Sequence, residues 1–343
     1  IAGTSKIEGA DFTENELDAA LGETPEQLFT RSQRQAFAAK KTYLMIVGLP
    51  KDRPIDADLI CSIHRSVIAG ADDDHCPPAL LRSSDINVTF GIPPHRGVEG
   101  GQECEKAFTE LCRALSKEFK GHDLLVQALA LHYHFAAMHP FQDGNGRTAR
   151  ALEALILQRA GLRDELFIAM SNYYYEEKNN YLKNLANVRA ASNDLTDFLN
   201  FGLKGIGLQC NKLFQEIRKN VSKALFENTM YQLFGRLKST RKRVMSERQI
   251  EILKLLLDKE NYKLNEIQKS TLSMYNNLKK PYSALIRDLN DLIYLKTIWA
   301  EKIDDGKNYR IHLKLEWPMQ VTESEFFKSL ENMPKSKTLS FLG

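Results

Sequence analysis

The 343-residue chain is 43% hydrophobic, 27% charged and 9% aromatic, a globular balance in a length beyond the roughly 100–200 residues of one ordinary domain, so two or three compact parts are expected. No run of about 18 apolar residues is present to span a bilayer, no basic-then-apolar leader opens the sequence, and five cysteines without a CxxC pair fit a reducing cytoplasm better than a disulfide framework. The net charge of +3 is uneven: residues 236–314 hold 18 Lys/Arg against 10 Asp/Glu, about +8, which leaves about −5 elsewhere.

Taken in order, Thr13 with Glu16, and Thr24 with Pro25 and Gln27, have the spacing of N-caps with capping-box partners, so the N-terminal region reads as helices. The Pro, Gly, Asp and Ser density of 72–101 predicts a loop, with His75 and Cys76 on its surface. Within it only Asp85 to Ile92 alternates like a short strand or hairpin. Helical spacing returns over Gln102 to Phe119 and Asp123 to Met138, the second run placing Leu125, Leu129, His132 and Phe135 on a central buried helix. His132 and His134, two apart on a helix, point different ways and do not read as a zinc pair with His139. Gly144 to Ala160 gives another helix, with Ala151, Leu152, Leu155 and Ile156 inward and Gly161 as its cap.

Beyond Gln209 an amphipathic helix leads to the basic stretch Arg236 to Arg243 and then to short elements. Ser246 and Gln249 cap a helix with Ile250, Leu253 and Leu257 inward, Leu264 to Thr271 and Lys280 to Leu292 add two more, and Tyr294 to Lys302 and Asn308 to Leu315 are strands around a tight turn. Three helices followed by a hairpin is the order of a winged helix-turn-helix. Its basic character suits DNA, with Lys279 to Arg287 on the recognition helix and Lys307 in the wing, or else a protein-interaction or dimer module.

The segment HPFQDGNGRTAR, His139 to Arg150, carries the chemistry. Gly144, Asn145 and Gly146 run straight into a helix, so backbone N–H groups and the positive end of the helix dipole face one spot, an anion site. Arg147 and Arg150, three apart at the helix start, reach toward phosphates, Asp143 offers a hard oxygen to Mg²⁺, and His139 can take a proton from an attacking hydroxyl. A general base, a metal ligand, an anion nest and two guanidinium groups are what phosphoryl chemistry needs.

This segment resembles the Fic family signature HPFx[DE]GNGRxxR at every fixed position, and the loop LRSSDINVTFG with PPHRGVEG resembles the Fic flap; the resemblance covers about 1–205. It implies a mainly α fold: a helical Fic-type domain with a short β-hairpin flap, followed by the winged helix-turn-helix domain. The expected divisions are an N-terminal helical region with an inhibitory motif and the flap over 1–100, a Fic core over 101–205, a helical linker over 206–243, the winged helix over 244–320 and a tail over 321–343. It also implies a protein adenylyltransferase with ATP as substrate and Mg²⁺ as cofactor. His139 would be the base, Phe141 an apolar anchor, Asp143 the metal ligand, Gly144, Asn145 and Gly146 the anion hole, and Arg147 and Arg150 the holders of the phosphate tail. Gly146, where a phosphotransferase branch carries Lys, favours nucleotidyl transfer.

The flap, Ser83, Ser84, Asp85, Ile86, Asn87, Val88 and Thr89, would receive a target protein by β-augmentation. It offers Ile86, Val88 and Phe90 where relatives often carry a large aromatic, and Asn180-Tyr181 stands where a Tyr-Tyr pair is common; Tyr173 to Tyr175 either line the adenine pocket or pack. Near the start, TSKIEG resembles the family's [ST]xxxE[GN] inhibitory motif, so Thr4, Glu8 and Gly9 would place a carboxylate on Arg150 in competition with the γ-phosphate. Removal of AMP from a modified protein, and a DNA-binding regulator whose Fic domain senses nucleotide, are the rival readings. Expected partners are a target protein, the chain itself, DNA and a second copy, without a membrane.

Overall fold

The computed structural model describes residues 22, 28 and 30–333 except 91, 163–164, 237–239, 260 and 304–308, with side chains at 165–169 and 240–246 left aside. The N-caps at Thr13 and Thr24, the segment Thr4 to Gly9 and Lys307 lie outside the described residues. The architecture is mainly helical, and the chain divides into two compact units, 1–213 and 214–343.

The first unit begins with α1 (Arg31–Val47), which Thr30 starts by accepting the Gln33 N–H while the Gln33 side chain accepts the Thr30 N–H. Asp56 caps α2 (Ala57–Ile68) through the Leu59 N–H, and α2 buries Leu59, Ile60, Ile63, His64, Val67 and Ile68. In the loop that follows, strand pairing among the described residues is limited to β1 (Thr89–Phe90) against β2 (His95–Arg96), a hairpin shorter than the alternation from Asp85 suggests. Ser83 to Val88 are held instead by turns and by Arg82.

Next come α3 (Gln102–Ser116), a 3₁₀ turn at Glu118–Gly121, α4 (Leu124–Met138) capped by Asp123, and α5 (Asn145–Arg159). The chain leaves α5 as expected: Gly161 has φ +93°, its N–H reaches Gln158 O, and the Leu162 N–H reaches Leu157 O, the double closure of a Schellman motif. Helix α4 packs along α5, and Leu129, Leu131, Phe135, Leu152 and Leu155 form the centre of the core with at most 1% exposure. Helices α6 (Glu165–Glu176), α7 (Lys178–Ala190) and α8 (Thr196–Gly235) complete the order.

The second unit has its own core. From the later part of α8, Phe226, Met230 and Phe234 join Trp317, Phe326 and residues of α9 (Thr240–Lys259) and α12 (Pro281–Tyr294), so the expected linker over 206–243 is in part core. Helix α9 starts at Thr240, so Ser246 is inside a helix and not its cap. Between them lie β3 (Asn261–Lys263), α10 (Leu264–Ser270) and the short α11 (Leu272–Tyr275). Tyr294 belongs to α12, and the strands are β4 (Ile298–Lys302) and β5 (Tyr309–Leu313). The sheet is antiparallel in the order β3-β5-β4, with Tyr262 opposite Ile311 and Ala300 opposite Ile311. β3 is too short for its periodicity to register. The expected tail also holds structure: after α13 (Trp317–Gln320), a Thr322–Glu325 capping box starts α14 (Glu323–Glu331) and Phe326 is buried.

Candidate active site

The loop between α4 and α5 is fixed before any ligand is considered. His139 ends α4 in the left-handed region, φ +54°, and Gly144 enters α5 at φ +74°, where a Cβ would lie 2.7 Å from Ile68 Cγ2. Asn145, 2% exposed, clamps the loop: its Oδ1 accepts the Phe141 N–H at 2.9 Å and its Nδ2 donates to Phe141 O at 2.8 Å. The Asn145 side chain thus holds the loop itself, and its part in an anion site would be that of its backbone. The Gly144 N–H likewise donates to Asp143 Oδ1 at 2.5 Å. Phe141 is wholly buried and stacks on His64 with ring centres 3.7 Å apart.

His64, which sequence reasoning passed over, locks this loop. The Ala79 N–H donates to its Nδ1 at 3.0 Å, so Nδ1 carries the lone pair and Nε2–H donates to Asp143 O at 3.1 Å. Burial lowers its pKa to about 4, keeping the ring neutral. A histidine among Ile60, Ile63, Val67 and Ile68 on the inward face of α2 is the sequence signal that could have found it.

On His139 itself, Nδ1 lies 2.8 Å from Ala136 O. A carbonyl can only accept, so Nδ1 bears the proton and Nε2 is the basic nitrogen. The ring stacks on Phe90 of β1 at 3.7 Å and 12°. A cavity of about 250 Å³ is lined by His139, Phe90, Gly146, Arg150, Tyr181 and Arg189 among others. Arg150 is 3% exposed on its wall. Tyr181 lines it, whereas Tyr173 and Tyr174 are buried packing residues, Tyr174 donating to Glu153. His132 is committed to Glu153 and Tyr181. Arg189 of α7 donates to Arg96 O and Ala137 O, both at 3.1 Å, tying α7 to the hairpin and to the end of α4.

Opposite the anion loop, Asp72 is wholly buried and meets Arg147 Nη1 at 2.5 Å, Arg31 Nε at 2.6 Å and the Gln35 amide at 3.1 Å. Arg147 is therefore turned toward carboxylates, with Asp143 Oδ1 at 3.4 Å as its second partner. Asp143 Oδ2 also meets His75 Nε2 at 2.9 Å and Arg31 Nη2 at 3.2 Å. His75 and Cys76 are thus not idle surface: the first contacts the expected metal ligand and the second is buried beside His64. Burial alone would raise the Asp143 pKa, but the His75 and Gly144 hydrogen bonds and the Arg147 charge carry it below the ordinary value.

Among the described residues, Asp72, His75 and Asp143 bring donor atoms within 4.8 Å of one another. Both carboxylates already meet donors from the chain, but Asp72 is wholly buried whereas Asp143 is one-third exposed at the loop, so Asp143 is the one a hard cation could reach. Arg82, also missed from sequence, is 2% exposed and donates to His139 O, Ile86 O and Val98 O. Among the described residues no helix is long and apolar enough to cross a membrane.

Residues 54–157 match the model of the Fic/DOC family. The chain is 33% identical over 141 residues to the protein adenylyltransferase Fic of Nematostella vectensis, covering 40% of this chain and 31% of that one, and 32% identical over 110 residues to the protein adenylyltransferase Fic of Culex quinquefasciatus, covering 30% and 19%. It therefore spans less than a third of the length of these curated relatives. Among solved structures, a Fic family protein from Desulfovibrio desulfuricans G20 superposes with TM-score 0.54 at 19% identity over 92% of this chain and 85% of that one. A Fic-1 fragment from C. elegans gives 0.51 at 22% identity over 63% and 62%. At these identities the structural likeness is one of fold.

Proposed function

We propose that the chain is a protein adenylyltransferase that moves AMP from Mg-ATP to a Tyr, Thr or Ser hydroxyl of a target protein or of itself. The observation that carries this reading is the cavity bounded by a histidine with a basic Nε2, by Gly146 of the anion loop and by Arg150. The acceptor oxygen attacks the α-phosphorus, the bond from that phosphorus to the bridging oxygen breaks, pyrophosphate leaves, and the hydroxyl proton passes to His139 Nε2. Backbone N–H groups at the start of α5 and Arg150 stabilise the charge that develops on the phosphates. Asp143 would hold Mg²⁺, which neutralises phosphate charge when bound. The target would dock along Ser83 to Thr89, next to β1, main chain against main chain.

Regulation would come from Glu8 pairing with Arg150, so that ATP binds without its α-phosphate in line. Replacing Glu8 with Gly should raise turnover, and Arg150→Ala should cancel the gain. The same Glu8 could instead position water for removal of AMP. Incubation with ATP labelled in the α-phosphate, with and without Glu8→Gly, tests the central reading: no label on any protein in either chain would defeat it.

For the second unit, the order α9, β3, α10, α12, β4, β5 supports a winged helix that binds duplex DNA, with the exposed Lys279, Lys280 and Arg287 meeting phosphates.

A further inference from the structure

A buried guanidinium is normally paired with a carboxylate, because an isolated charge in a low-dielectric interior is costly. Arg82 breaks this pattern. It is 2% exposed, and among the described residues it pairs with no carboxylate. Its donors go entirely to main-chain carbonyls from three separate segments: Nε to His139 O at 2.7 Å, Nη1 to Ile86 O at 2.9 Å, and Nη2 to Val98 O at 2.5 Å with Met138 O at 3.4 Å. Its backbone adds two more ties, since the Arg82 N–H donates to Pro140 O at 3.0 Å and the Gly101 N–H donates to Arg82 O at 2.7 Å.

These segments are not equivalent in function. His139 and Pro140 open the catalytic loop, Ile86 is in the expected target-docking segment, and Val98 follows the β1–β2 hairpin. No short-range hydrogen bond could hold His139 to Ile86, 53 residues apart in sequence; one rigid fork does. His139 sits at φ +54°, a conformation that a residue with a Cβ keeps only when its surroundings over-determine it. Gly97 packs close by: a Cβ there would lie 3.1 Å from His139 Cβ and 3.3 Å from Arg82 Nη2, so the space around the fork is closed.

We propose that Arg82 is a positioning residue that ties the docking segment to the catalytic base, so that seating a target chain on residues 83–89 and holding His139 in its reactive placement are one event. The inference rests on the transferase reading and adds to it a link between target docking and catalysis. A lysine keeps the charge but has a single head that cannot span three carbonyls, which separates the fork from the charge.

The test compares the full chain with Arg82→Lys and Arg82→Met, each with and without Glu8→Gly. Transfer of labelled AMP to a protein acceptor should fall at least tenfold in both variants. The affinity for ATP, measured by calorimetry in a His139→Ala background to prevent turnover, should stay within twofold. Amide hydrogen exchange over 83–98 should quicken in the lysine variant, independently of any activity. Should Arg82→Met fail to fold, Arg82→Lys carries the same comparison. A lysine variant that transfers AMP like its parent overturns the inference alone. Loss of ATP binding in step with loss of transfer and of melting temperature also overturns it, because Arg82 would then be only a structural support. A parent chain inert toward every acceptor overturns the transferase reading and this inference with it.

Discussion

In the first unit four buried charged side chains converge on one loop: Asp72, Arg82, Arg147 and Arg150, each at most 4% exposed, gather around the turn from His139 to Gly146 and the cavity beside it. In the second unit a comparable set closes on itself. Arg248 Nε meets Asp288 Oδ2 at 2.7 Å, the Tyr275 hydroxyl donates to the same oxygen at 2.8 Å, and the Arg248 head lies 5.3 Å from the Tyr275 ring centre. Both arrangements satisfy buried charge at a desolvation cost. In the first, Arg150 also lines a cavity together with His139, whose basic nitrogen is Nε2. Buried charge is thus informative about function by where it points, not by its presence.

The largest effect that would test this contrast is at His139. His139→Ala should lower AMP transfer about 10²- to 10⁴-fold while leaving the melting curve near that of the parent; full transfer would remove the base from the mechanism. Next come the two aromatic anchors, Phe141 and Trp317, each no more than 1% exposed. Replacing either by Ala should cost about 3–5 kcal/mol in denaturant unfolding. Phe141→Ala should also abolish ATP binding, whereas Trp317→Ala should leave transfer intact at temperatures where the chain stays folded. Equal damage to transfer from both would erase the distinction.

A third comparison concerns the basic surface of the second unit. If it meets duplex phosphates, affinity should fall steeply with salt, and Lys280→Ala should reduce the slope of log K against log salt by about 1. An unchanged slope would favour a protein partner. The smallest effect is at Asp291, whose carboxyl burial and the neighbouring Asp288 push up to about 6. Its folded pKa is above the unfolded value, so the native state keeps a proton the unfolded chain has released. The stability this contributes is complete below about pH 4 and is lost as pH rises through about 6. Asp291→Asn should flatten that window and stabilise the protein at pH 7 by about 1 kcal/mol, measured by thermal melts across pH.

The helices from Gln102 to Gly161 were legible because they are long and periodic and have capping signals at Asp123 and Gly161. The turn from His139 to Gly146 stood out because its residue types cluster in sequence. What escaped was assembled by the fold: Asp72 reaches Arg147 across 75 positions and Arg82 reaches His139 across 57, separations at which no local pattern survives. β3 escaped for a different reason, since three residues carry too little alternation to register. Ser246 misled because its capping pattern with Gln249 recurs inside a helix that starts earlier.

The clamp that Asn145 closes on both polar groups of Phe141 bears on timing as well as shape. Because those two hydrogen bonds form when the chain folds, the entropy lost in ordering the turn is already lost before a nucleotide arrives. ATP would then meet a rigid receptor, associating without a slow rearrangement of this turn, and the amides of 141–146 should exchange with deuterated solvent at nearly the same rates with and without the nucleotide.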